Sequence, residues 1–195
     1  MNHMLNFIIK SVLYFPAWLV VKSLGQAGLD ELKSWSCQLR IDKGSPHKNF
    51  IWFFHNKPEY RSLVFFRLGH VRILKILYPA QKCLFFEVGS ECIGEGLILQ
   101  HAFSTIINVE KMGRDCQIWQ NVTIGKDRPG GKKPVIGNCV KIFSGAVVIG
   151  DIIIGNNVSI GANAVVNKNV PDNCTVVGIP ARIVKKDGNR VNEQL

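Results

Sequence analysis

Aliphatic residues recur every six positions along the second half of the chain. Ile136, Ile142, Val148, Ile154, Ile160 and Val166 keep that step without a slip. A second series runs four positions later: Val140, Ala146, Ile152, Val158, Ala164 and Val170. The step reaches upstream through Ile93 and Leu99, then through Met112, Ile118 and Ile124. A helix repeats every 3.6 residues and a strand every 2, so neither accounts for it. A fixed six-residue period is the signature of a parallel β-helix. Each hexad supplies one short strand and one turn. Its inward aliphatic stacks on the neighbouring coils, and burying each one contributes roughly 1.5–3 kcal/mol. Glycine follows the ladder at Gly94, Gly113, Gly125, Gly137, Gly155 and Gly161, where it is expected to let the chain turn tightly. Asp151, Asn156, Asn157 and Asn163 suit the same corners. No coil buries its own face, so the stability of such a fold comes from stacking.

The period breaks twice, and a rigid scaffold tends to carry its function where it is interrupted. From Leu99 to Ile106 the step is seven, which implies one inserted residue, and His101 lies inside that step. From Ile124 to Ile136 two hexads are replaced by the stretch from Lys126 to Pro134. It is charged, rich in Gly and Pro, and reads as a protruding loop.

The stretches Ile93 to Ala102, Gln120 to Gly125 (Gln-Asn-Val-Thr-Ile-Gly) and Val177 to Val184 (Val-Gly-Ile-Pro-Ala-Arg-Ile-Val) carry a resemblance. The segment from about Glu87 to Arg182 resembles the hexapeptide-repeat acyltransferases, in particular their serine acetyltransferase-like branch. The resemblance implies a mainly β protein: a left-handed parallel β-helix with three hexads per coil, assembled as a homotrimer. Handedness comes from the resemblance alone, since parallel crossovers are right-handed in most sheets. The expected organisation is an N-terminal helical region over 1–86, the β-helix over 87–180 and a C-terminal tail over 181–195.

The resemblance also assigns roles. His101 matches the histidine that takes the proton from an acceptor hydroxyl, which then attacks acetyl-CoA lying between subunits. Imidazole titrates near neutral pH, and a positioned general base contributes about 10²–10⁴-fold. Glu87 is the nearest match to the carboxylate that orients this base, displaced by one residue, with Glu91 as a rival. Ser144 and Ala162 lie eighteen residues apart, one coil in this geometry, and match the positions beside the pantetheine arm, with Gly145 and Gly161 adjoining. Asn167, Lys168, Arg182 and Lys185 match the end that meets the nucleotide phosphates, for which Arg and Lys are sound partners.

Two departures bear on the acceptor. Gln100 stands where serine acetyltransferases carry an aspartate, and Lys133 where they carry a second histidine in the loop. Gln100 cannot pair with an ammonium as a carboxylate does, and Lys133 is a donor without an acceptor atom. The expectation is therefore an acetyl-CoA-dependent O-acetyltransferase acting on a sugar or glycan hydroxyl, as in enzymes that decorate capsules and exopolysaccharides. Serine O-acetylation and a non-catalytic scaffold are the alternatives.

Composition narrows the field. Lys and Arg number 24 against 14 Asp and Glu, a net charge of +10. No zinc finger or aromatic-basic motif accompanies it, so no nucleic-acid partner is expected; coenzyme A, an acidic glycan or anionic lipid would each use the charge. The six cysteines show no metal spacing, and Cys116, Cys139 and Cys174 fall in hexads as small hydrophobes, which suits a reducing, cytoplasmic setting. No metal is expected, because the repeat region holds His101 as its one histidine. The apolar run Leu5 to Val21 contains Lys10 and Pro16 and falls short of a span. It reads as a helix that either packs on its neighbours or lies in a membrane interface, and the helical region could double the trimer. Tyr60 to Tyr78 reads as a second helix, stopped by Pro79.

Overall fold

Stacking the hexads produces three parallel faces. The computed structural model describes residues 2–23, 25–69, 76 and 78–195. The first face takes β1 (Leu84–Phe86), β3 (Thr105–Ile107), β6 (Thr123–Gly125), β9 (Val147–Ile149) and β12 (Val165–Val166), in that spatial order. The second takes β4 (Lys111–Met112), β7 (Val135–Ile136) and β10 (Ile153–Ile154). The third takes β2 (Ile98–Leu99), β5 (Gln117–Ile118), β8 (Lys141–Ile142), β11 (Ser159–Ile160) and β13 (Cys174–Val177). Residues 181–195, read from the sequence as a tail, carry β14 (Arg182–Lys186) and β15 (Asn189–Gln194), which extend that third face antiparallel. The chain advances one face per hexad. Leu99, Ile118, Ile142, Ile160 and Val176 thus meet in register down one face, all buried.

The structure corrects three details of the expected register. The ladder residue after His101 is Ile107, which is fully buried and pairs with Ile124, whereas Ile106 is half-buried and pairs with Thr123. The step from Leu99 is therefore eight, and the next, to Met112, is five; two residues are inserted beside His101, and the chain recovers one of them at the following corner. Ile124 and Ile136 sit on consecutive faces, so the charged loop enlarges one hexad by six residues instead of replacing two. The glycines after the ladder serve close approach more than turning. A Cβ on Gly137 would lie 2.7 Å from the Gly155 carbonyl oxygen of the next coil. The left-handed turn positions fall instead to Asn121, Asn157 and Asn163. Cys116 and Cys174 are buried as expected of small hydrophobes, but Cys139 occupies an exposed left-handed corner.

Residues 1–81 and 82–195 form two compact units. The first is helical: α1 (Asn2–Ser23), α2 (Gly25–Gln38), α3 (Pro46–Asn56) and α4 (Pro58–Leu68). The Leu5–Val21 run lies in α1, and the second expected helix begins as α4; its continuation over 70–75 and 77 falls outside the described residues. α2 and α3 were not anticipated. Ser45 caps α3 by accepting from the Lys48 amide, and Pro46 opens it with a fixed φ, a start signal present in the sequence. Trp35, Phe50, Phe53, Phe54 and Tyr60 pack the unit's core, with Trp35 and Tyr60 edge to face at 5.0 Å. Among the described residues no helix is long and apolar enough to cross a membrane.

Candidate functional site

Between the third face and the first, each coil turns a corner that begins, in the lowest coil, at His101. Backbone bonds fix the stacking there: Asn121 N donates to Phe103 O at 3.0 Å, Gly145 N to Gln120 O at 3.0 Å, and Asn163 N to Ser144 O at 2.9 Å. Phe103, Gln120, Ser144 and Ala162 therefore form one column, coil above coil. Coils repeat at the inter-strand spacing of about 4.8 Å, so Ser144 stands about 10 Å above the His101 level. Gly145 takes a left-handed turn in this column, and Gly161 leaves no room for a Cβ, which would sit 2.8 Å from Val177 Cγ1.

The two-residue insertion shapes the lowest step. Ala102 turns inward and is buried, while His101 is exposed with φ 51°. Few non-glycine residues adopt that conformation. It aims the imidazole out of the coil, and its side chain has no hydrogen-bond partner among the described residues. Gln100 is half-buried just before it, its amide bonded to Ile118 O.

One residue of the column was missed by sequence reasoning. Gln120 Oε1 is buried without a hydrogen-bond partner among the described residues. A buried acceptor left unpaired costs about 1–3 kcal/mol, so it marks a place where a donor is wanted. Its only signal in the sequence was membership of the Gln120–Gly125 motif. Trp119 and Phe143 flank the column as a stacked pair with centroids 4.5 Å apart.

At the upper end, residues 178–181 lie over β12, with Val165 N donating to Gly178 O and Ala181 N to Val165 O, both at 3.1 Å. They close a cavity of about 420 Å³ lined by Asn167, Lys168, Gly178, Pro180 and Arg182, among others. Asn167, Lys168 and Arg182 are thus brought together. Lys185 is not: it lies on β14, opposite Thr175 and Arg190. Two cations around one cavity suit a phosphorylated group.

Glu87 and Lys133 occupy a different corner, where the first face passes to the second. Glu87 leaves β1 there and accepts a hydrogen bond from Asn108 Nδ2 at 2.8 Å. His101 precedes the entry to the same face, so the two are at opposite ends of it within one chain. Glu91 sits exposed in a single 3-10 turn, Ser90–Cys92. Lys133 is half-buried in the loop, whose neighbour Lys132 pairs with Asp151 at 2.8 Å. That bond raises the Lys132 pKa above the usual lysine value.

Burial pushes the Cys116 thiol up to about 12, so it holds its proton at neutral pH and is no nucleophile. No group of three His, Cys, Asp or Glu able to hold a metal occurs among the described residues.

Comparisons agree with the coil and redirect the acceptor. Residues 133–168 match the family described as bacterial transferase hexapeptide (six repeats). Serine acetyltransferase of Synechococcus elongatus is 41% identical over 103 residues, covering 51% of this chain and 42% of that protein. Serine acetyltransferase of Staphylococcus aureus is 46% identical over 110 residues, covering 52% and 49%. The chain thus spans under half the length of these relatives. Among solved structures, the Neisseria gonorrhoeae serine acetyltransferase superposes with a TM-score of 0.62 at 26% identity, over 92% of this chain and 74% of that one. Its serine complex gives 0.60 at 26%, over 85% and 72%. The expected glycan acceptor is overturned by these names, which point to serine. The physical error was to weigh only the ammonium of serine. Its carboxylate is a natural partner for the Lys133 cation, and the Gln100 amide oxygen still accepts a hydrogen bond from an ammonium.

Proposed function

We propose that this chain transfers the acetyl group of acetyl-CoA to the hydroxyl of L-serine, with His101 as general base, on a left-handed coil. The observation that carries this reading is the continuous column from His101, through Gln120, Ser144 and Ala162, toward the cationic cavity at Lys168 and Arg182. A long donor fits such a column with its thioester near His101 and its phosphates at the far end. Ser144 and Ala162 offer backbone to the pantetheine arm, and Gln120 Oε1 accepts one of its amide N–H groups. His101 takes the serine hydroxyl proton as the oxygen bonds to the thioester carbonyl carbon. The C–S bond then breaks, and the proton passes from His101 to the departing thiolate, leaving O-acetylserine and coenzyme A. Acetyl-CoA places the reaction in the cytoplasm.

Lys133 and Glu87 stand away from His101 in one chain, so the site is completed by a second copy. In a closed homotrimer the loop corner of one subunit faces the His101 corner of the next. Lys133 then holds the serine carboxylate, Gln100 the ammonium, and Glu87 orients the base in trans. The test is thiol release from acetyl-CoA with L-serine, followed by mixing inactive His101→Ala chains with Lys133→Ala chains. Activity regained on mixing at limiting serine, well below the raised KM of Lys133→Ala alone, supports shared sites. No thiol release with serine at millimolar concentration would end the proposal.

A further inference from the structure

The helical unit holds an apolar surface that its own core does not use. One face of α1 packs inward: Tyr14 and Ala17 are buried, Tyr14 meets Phe54 at 5.5 Å, and Trp18 meets Phe50 at 5.3 Å. The opposite face carries Leu5, Ile8, Ile9, Val12, Leu13 and Phe15, each between 48% and 73% exposed. The spacing follows one side of a helix across nearly three turns. A contiguous apolar stripe of this length marks an interaction surface.

Charge selects the occupant. Residues 1–81 hold eleven Lys and Arg against four Asp and Glu, a surplus of seven out of the chain's ten. Beside the start of α1, a groove of about 580 Å³ is lined by Lys10, Lys43 and Lys48 with Met4, Trp52 and His55, and by no acidic residue. Lys43 Nζ lies 5.6 Å from the Trp52 ring centre and Lys48 Nζ 5.8 Å from that of Phe7, so the ammonium groups of these two exposed lysines lie over aromatic faces at the groove. A second copy of this unit would bring like charge against like charge. An anionic bilayer offers apolar depth for the stripe and phosphates for the lysines.

We infer that the helical unit docks on an anionic lipid surface, with α1 lying in the plane of the headgroups and the three-lysine groove receiving a lipid phosphate. Interfacial helices bind through buried apolar area plus attraction to acidic lipid, and both are present here. The surface is independent of the acetyl-transfer site, so its failure leaves that assignment untouched.

The full chain is sedimented with phosphatidylcholine vesicles, with and without about one-third phosphatidylglycerol. Binding should rise at least about tenfold with the anionic lipid and fall with salt. Lys43→Gln with Lys48→Gln should weaken it about twenty-fivefold, at about fivefold per charge. Ile8→Glu with Val12→Glu should abolish it, with helicity retained because both side chains are exposed in the parent. As a measurement that needs no destabilising change, Val12→Trp should gain fluorescence quenching from brominated acyl chains relative to the parent. The inference is overturned by equal binding to both vesicles, by no added quenching, or by a lipid-free higher assembly that Ile8→Glu with Val12→Glu dissolves.

Discussion

Two corners of the coil turn the same backbone and end differently. Between the second and third faces, Asn138 Nδ2 donates to Asn156 Oδ1 at 3.0 Å, and Asn156 Nδ2 to Asp172 Oδ2 at 3.1 Å. The backbone amides of Arg114, Asn138 and Asn156 are taken by the same side chains, at 2.8–3.0 Å. These side chains and amides are satisfied by one another from coil to coil. At the His101 corner the insertion breaks that pattern, the Gln120 acceptor is buried without a partner, and the imidazole faces outward. A corner that closes on itself stabilises the coil. A corner that leaves polar groups open is where the proposed donor and acceptor would find partners.

The largest effect should come from breaking the open corner. His101→Ala should lower turnover at least about 100-fold with the thermal melt unchanged, because a general base is lost from an exposed position. A folded variant with near-parental acetyl transfer would sink the assignment. Lys133→Ala, on the loop corner, should act on serine instead: KM rises about tenfold or more while kcat changes less, as for a lost charged hydrogen bond. A fall in kcat alone, with KM for serine unmoved, would remove the carboxylate role.

The coil was legible in the sequence because its period is enforced by burial. Ile142, Val148 and Ile160 face a core where a polar residue would be excluded, so the six-residue step survives in the letters. Register around His101 was not legible, since Ile106 and Ile107 are both isoleucine and only the pairing distinguishes them. The separation of Glu87 from His101 was also hidden: fourteen residues is close to one coil by count, yet the insertion and the face order place them at opposite ends. The helical unit was half seen. Its Phe50–Phe54 run is apolar on every side and carries no period, so α3 showed only in its Ser45-Pro46 start.

The closed corner should break through packing and not through chemistry. Gly137→Ala would place a Cβ 2.7 Å from Gly155 O and 2.9 Å from Asn156 N, both backbone atoms of the next coil. Neither can move without shifting the strand after it. A loss of about 1–3 kcal/mol in urea unfolding is expected, the usual cost of overpacking, with kcat per folded site unchanged. A variant as stable as the parent would show that the coils have slack at this corner.

The smallest effect concerns pH at the top of the same ladder. Asp172 accepts from the Asn156 side chain and the Asn156 amide, and these bonds hold its carboxyl below the usual carboxylate range. The unfolded chain should titrate this group near pH 3.9, so the folded state binds its proton less readily. The stabilisation is therefore complete above that pH and lost as pH falls through the lower folded value. Asp172→Asn keeps an acceptor oxygen but removes the charge. It should melt slightly below the parent at neutral pH, and the gap should close on acidification below the usual carboxylate range, once the parent carboxyl is itself protonated. A salt titration at neutral pH should narrow the gap only in part, because hydrogen bonding and not distant charge is the main cause. A gap that persists or widens in acid would show that Asp172 stabilises the ladder by shape alone.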